Sequence, residues 1–134
     1  LYNISCMFSE CLSLKEANFG DNFNSNYILN IESLFKNCIS LKEVSFGDNF
    51  YSENIVKANE AFNNYYNLES INWKERQPFC SLKSVDRMFE YCKKLKQVDL
   101  RGVDFSKIEN SSRIFLGTNP DLEVLVNETY KNIK

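Results

Sequence analysis

Cysteines and carboxylates are the side chains of this sequence with chemistry to offer. Five cysteines, at 6, 11, 38, 80 and 92, and 18 acidic residues accompany 16 basic ones, and there is no histidine. That absence removes the commonest general base and the commonest metal ligand. There is no Cys-x-x-Cys pair, no glycine loop able to cradle a phosphate, and no nucleophile elbow. Catalysis would have to rest on scattered carboxylates, so the expectation is a non-enzymatic chain with no cofactor and no bound metal. Cys11, Cys38 and Cys92 recur behind the same Phe-x-x spacing, where a small buried hydrophobe suits a core. On packed helices such positions would lie about 8–10 Å apart, beyond the ~7 Å that a disulfide spans. Cys6 and Cys80 fall outside this series and read as single thiols, of open redox state.

The elements that would carry these residues follow from a phrase written several times. Its clearest copy is Leu34-Phe35…Cys38…Leu41…Val44…Phe46, matched by Met7-Phe8…Cys11…Leu14…Ala17…Phe19, Ala61-Phe62…Tyr65…Leu68…Ile71…Trp73, and Met88-Phe89…Cys92…Leu95…Val98…Leu100. A fainter copy holds Ile114-Phe115, Leu122 and Leu125. The leucines at 14, 41, 68, 95 and 122 set a period of 27 residues, and a fixed period of that size is the mark of a solenoid. Approximate units are 1–23, 24–50, 51–77, 78–105 and 106–134 of one domain, 1–134. Because the pattern is already running at both ends, the chain reads as a piece of a longer protein.

Within a unit the apolar spacing changes character. Ile28, Ile31, Leu34-Phe35 and Cys38 recur every three or four residues, which predicts an amphipathic helix. Leu41, Val44 and Phe46 end in an alternating step, which predicts a short strand. Gly20-Asp21-Asn22-Phe23 and Gly47-Asp48-Asn49-Phe50 read as turns, with Ser25, Ser52 and Ser81 as helix caps. In the third unit Lys74, Glu75, Arg76 and Gln77 begin a variant, proline-bearing loop where the second has its glycine turn. The expected fold class is therefore an α/β solenoid of about five 27-residue repeats, a horseshoe with a parallel sheet on its concave face and helices on its convex face.

The phrases Met7-Phe8-x-x-Cys11-x-x-Leu14, Leu34-Phe35-x-x-Cys38-x-x-Leu41 and Met88-Phe89-x-x-Cys92-x-x-Leu95, with Val103-Asp104-Phe105-Ser106-Lys107-Ile108 after them, give the chain a further identity. It resembles the BspA-like leucine-rich repeats, in particular their surface-lipoprotein branch, over essentially its whole length. Tyr65 at a cysteine position, the loop 74–80 and the last unit depart from that pattern. The resemblance implies a non-catalytic adhesion module of a microbial surface or secreted protein, binding a protein or glycan. A scaffold subunit of a large assembly, which would allow a cytoplasmic location, and the substrate-recognition domain of a multidomain enzyme are the alternatives.

The net charge of −2 is spread along the chain, which disfavours nucleic acid, since a phosphate backbone calls for a basic stripe. No apolar run reaches the roughly 18 residues that cross a bilayer. Three Asn-x-Ser/Thr matches, at Asn3, Asn110 and Asn127, are little more than the about two that this composition yields by chance. The candidate partner surface is the exposed strand face: Lys15, Glu16, Lys42, Glu43, Asn72, Lys96, Gln97 and Asp99. Its plainer reading is a solvated face whose Lys and Glu columns compensate one another. Val124 and Val126 stand where other units are polar, so the C-terminal edge is expected to be covered by the segment 127–134, a further repeat or a neighbouring chain.

Overall fold

A computed structural model describes residues 3–71, 73 and 78–128. Most of the chain is irregular. Among the described residues the regular structure is five short strands, β1 (Glu16–Asn18), β2 (Glu43–Ser45), β3 (Ser70–Ile71), β4 (Gln97–Asp99) and β5 (Glu123–Leu125), and a 3-10 turn at Phe105–Lys107. They form two small parallel sheets, β1–β2 and β3–β4–β5.

The expected α/β solenoid, a leucine-rich-repeat-like horseshoe with convex helices, is thereby overturned. No α-helix occurs among the described residues, and this architecture lends no support to a leucine-rich-repeat or adhesion assignment. The segments expected to be helical are successions of tight turns. Ser33 and Asn37 have φ of 55° and 61°, and so do their counterparts Glu60 and Asn64, Arg87 and Tyr91, Cys6 and Glu10, at 55° to 62°. A left-handed residue every fourth position cannot sit in a right-handed helix. The backbone donors are instead divided. Ser33, Phe35 and Asn37 donate forward to the carbonyls of Asn59, Ala61 and Asn63, while Leu34, Lys36 and Cys38 donate three residues back, to Ile31, Ser33 and Phe35. Three-residue turns bring Ile31, Leu34, Phe35 and Cys38 to one buried side much as a helix would, which is why apolar spacing alone suggested a helix. Nor do the serines cap helices. Ser25 donates from its hydroxyl to the carbonyls of Asn49 and Tyr51, and the Ser52 hydroxyl accepts from Phe79 N–H at 2.8 Å.

The strands pair in register. Ala17 lies opposite Val44, and Ile71 opposite Val98. A row of isolated parallel bridges joins Asn3, Asn30, Lys57, Ser84 and Asn110 on the other side of the core. Between the two runs the rings of Phe8, Phe35, Phe62, Phe89 and Phe115 form a column with centroids 5.4, 6.0, 5.5 and 5.9 Å apart. Phe35, Phe62 and Phe89 are fully buried, each burial being worth about 1.5–3 kcal/mol. A second aromatic group, Phe19, Phe23, Phe46, Phe50 and Trp73, fills the space under the glycine turns. Gly47 has φ +75°, and a Cβ there would lie 2.2 Å from the Gly20 carbonyl oxygen, so only glycine admits this approach.

The C-terminal edge also needs correction. Val124 pairs with the buried Val98, and Leu125 with Asp99. The offset there is 26 residues, one fewer than in the preceding units, so Val124 and Val126 are half-buried against the core rather than on the polar face. Leu125 takes the polar position. Residues 129–134, expected to cover this edge, lie outside the described residues. No helix is long and apolar enough to cross a membrane among those described.

Candidate functional site

Register brings part of the expected partner surface together. Glu16 lies directly opposite Glu43 on β1–β2, with Lys15 and Lys42 beside them, and all four side chains are exposed. Parallel strands are about 4.8 Å apart, so the sheet presents a pair of carboxylates in register, each preceded by an exposed lysine. None of the four makes an ion pair with another described residue.

The other half of that surface belongs to the second sheet and is engaged internally. Lys96 Nζ lies 3.5 Å from Glu69 Oε1, Gln97 donates to Glu123, and Arg101 grips Asp99 through Nε at 3.1 Å and Nη2 at 2.9 Å. Burial works to raise the Asp99 carboxyl, but the side-chain and backbone hydrogen bonds and the charge of Arg101 outweigh it and hold it below the usual carboxylate range. Asn72, and Lys74, Glu75, Arg76 and Gln77 of the variant loop, lie outside the described residues.

The two halves are separated by a break. Among the described residues no backbone hydrogen bond joins β2 to β3, although the sequence phase would place Val44 beside Ile71. A cleft of about 430 Å³ opens at this break. Val44, Phe46, Phe62, Tyr65 and Leu68 form its apolar floor, while Lys42, Glu43 and Glu69 stand on its rim. Val44 is half-exposed whereas its counterparts Ile71 and Val98 are buried, as expected for a strand flanking an opening.

The side chain at the break that departs from its counterparts is Tyr65. At 11, 38 and 92 this position carries a cysteine, and two of the thiols donate to the phenylalanine carbonyl one unit back: Cys38 to Phe8 at 2.9 Å and Cys92 to Phe62 at 3.0 Å. A phenol ring is too large for that seat. Tyr65 packs against Phe35 at 6.0 Å and 55°, and the column contact beside it, Phe35 to Phe62, is tilted by 26° where the other three are within 3° to 4°. Tyr65 is 2% exposed; its hydroxyl makes no hydrogen bond with the described residues and is not one of their fully buried unsatisfied atoms, so it keeps access to solvent at the cleft. Burial first, then the neighbouring Cys38 and Cys92 thiols, push its ionisation upward. Sequence inspection marked Tyr65 as a departure from the cysteine series without seeing that it builds a cleft; the signal was a bulky polar aromatic in a small buried seat.

All five cysteines are free. The helix spacing expected to forbid a disulfide does not exist here, and the thiols are nonetheless unbridged. Burial, reinforced by Cys11, raises the Cys38 thiol to about 11, the hydrogen bond notwithstanding; burial raises Cys92 to about 12. These are poor nucleophiles and poor metal ligands, and no group of three or more potential ligands gathers among the described residues.

Glu90 is the buried charge. Its Oε1 accepts from Asn63 Nδ2 at 3.0 Å, and Arg113 Nε is 2.6 Å from its Oε2. That second contact is ionic by distance, while its direction does not make it a hydrogen bond. No family model, no curated protein and no solved structure matches the chain.

Proposed function

We propose that this chain is a non-catalytic protein-binding module whose contact surface is the β1–β2 face. The observation that carries the reading is the uncompensated charge there. Glu16 and Glu43 are like-charged neighbours in register, an arrangement that costs stability when nothing neutralises it, and the unpaired Lys15 and Lys42 precede them, joined through the backbone. A partner presenting a cation to the carboxylates and an anion to the ammonium groups neutralises both on binding, and the backbone beneath is already ordered, so little entropy is lost. Alternating signs over so short a distance suit a folded protein surface better than an extended polyanion.

Charge reversal on immobilised chain tests this against a partner isolated from extract. The double substitution Lys15→Glu, Lys42→Glu is expected to weaken binding at least tenfold with the melting temperature unchanged. Lys96→Glu, at a residue already paired with Glu69, is expected to weaken it far less. Equal losses from both, or normal binding by the double variant, would refute the assignment to β1–β2.

A further inference from the structure

The cleft at the break between the sheets has the attributes of a built pocket. Its volume of about 430 Å³ falls within the about 300–1,000 Å³ typical of ligand sites. The floor is aromatic and aliphatic, the rim is polar, and the hydroxyl of Tyr65, a residue that lines the cleft, makes no hydrogen bond with the described residues. A phenol hydroxyl both donates and accepts, so a ligand atom of suitable geometry can hydrogen-bond to it.

We infer that this cleft is an anchor pocket for a planar aromatic side chain bearing a hydrogen-bonding group, a tyrosine of the protein partner. The floor accounts for the aromatic half. Phe46 and Phe62 line the opening with Tyr65, and rings pack favourably on rings in offset or edge-on arrangements. Tyr65 accounts for the polar half, since a phenol hydroxyl both donates and accepts and can satisfy a second phenol in either sense. Position supports the same occupant: Lys42 and Glu43 stand on the cleft rim and also belong to the charged β1–β2 face. A side chain inserted here would thus lie beside the charge contacts, as buried aromatic anchors do at the centres of protein interfaces. The pocket stands on the geometry of the break; that a protein supplies its occupant rests on the function proposed above.

The cleft is also assigned a cause, and the cause can be reversed. Tyr65→Cys restores the residue type found at 38 and 92, whose thiols seat against the preceding unit, and should allow β2 to pair with β3 and close the opening.

The test uses the whole chain with p-cresol and toluene as probes, which differ only in the hydroxyl, followed through backbone amide chemical shifts. Saturable p-cresol shifts are expected at Val44, Ser45, Leu68 and Ser70, with a dissociation constant on the order of millimolar. Tyr65→Phe should weaken p-cresol about threefold to tenfold, toward the toluene value, while leaving toluene unchanged. Tyr65→Cys should abolish binding of both probes; if that variant does not fold, Ser70→Trp, which plugs the mouth from an exposed position, should do the same. Shifts that never saturate or that map elsewhere, p-cresol binding indifferent to Tyr65→Phe, or full binding by the folded closing variant would overturn the inference. Because no partner is present, this outcome is independent of the charge-reversal result. Probe binding without a charge effect removes the β1–β2 assignment alone, and a charge effect without probe binding removes the anchor pocket alone.

Discussion

The two parallel sheets differ in how they dispose of their charges and in how tightly their layers close. On β3–β4–β5, Lys96 meets Glu69, Gln97 meets Glu123 and Asp99 meets Arg101, and the rings of Phe62, Phe89 and Phe115 beneath lie within 4° of parallel. On β1–β2 Glu16 faces Glu43, Lys15 and Lys42 make no ion pair with a described residue, and β2 does not pair with β3. A sheet that satisfies its own side chains has little left for a partner. The open sheet keeps both unpaired charge and an unfilled cleft, which is why the functional proposals fall on it.

The comparison is broken most severely through the phenylalanine column. Phe89→Ala, between two parallel neighbours, should cost about 3–5 kcal/mol in urea unfolding, whereas Phe62→Ala, with one tilted contact and the cleft beside it, should fall at the low end of that range. A larger loss for Phe62→Ala would mean that the break is tightly packed after all. Next in size is the buried carboxylate. Arg113→Ala strips the ion contact from Glu90, which is 5% exposed, and should cost about 1–3 kcal/mol, whereas Lys42→Ala, on the open face, should stay within about 0.5 kcal/mol of the parent. Similar values for the two would erase the distinction between closed and open charges.

Alkaline pH offers a third measure. The Cys38 and Cys92 thiols are raised in the folded state from 9.0 to about 11 and about 12, so their contribution to stability is complete below pH 9 and is lost as pH climbs through those values. Urea midpoints should therefore decline above pH 9, less steeply in Cys92→Ala. At pH 8, iodoacetamide followed by peptide mapping should modify the exposed Cys6 and Cys80 well before Cys38 and Cys92, and rapid loss of the buried pair would contradict their seating. The smallest effect is a difference of sign. Glu43→Lys removes a carboxylate facing Glu16 and should stabilise the chain by about 0.2–1 kcal/mol. Glu69→Lys destroys an exposed pair with Lys96 and should destabilise it by no more than about 1 kcal/mol. Thermal melts of the two variants shifting in the same direction would show that the faces are not electrostatically distinct.

The 27-residue phase was legible because it repeats side chains that must be buried: Ala17 meets Val44 and Ile71 meets Val98 as the spacing implies, although Val44 and Ile71 do not pair, and the phenylalanines of the column follow the same order. Exposure of the strand residues at 15, 16, 42, 43, 96 and 97 could be read the same way, from their polarity between apolar positions. The helices could not, since apolar residues three and four apart serve a run of tight turns equally well. What rules helix out is donors such as Phe35 N–H bonding to the next unit at Ala61, a partner 26 residues away that no local pattern displays. The last strand escaped for a related reason: Leu122 keeps the 27-residue spacing while Val124 pairs at 26, and register is decided by pairing across strands rather than along one. Which charges are quenched and where the layers part were likewise tertiary decisions. Tyr65 reads in sequence as a substitution in a series; only the tertiary structure sets its ring against Phe35 and at the cleft between the two sheets, because whether a close-packed core accommodates a larger ring is decided by its neighbours in space.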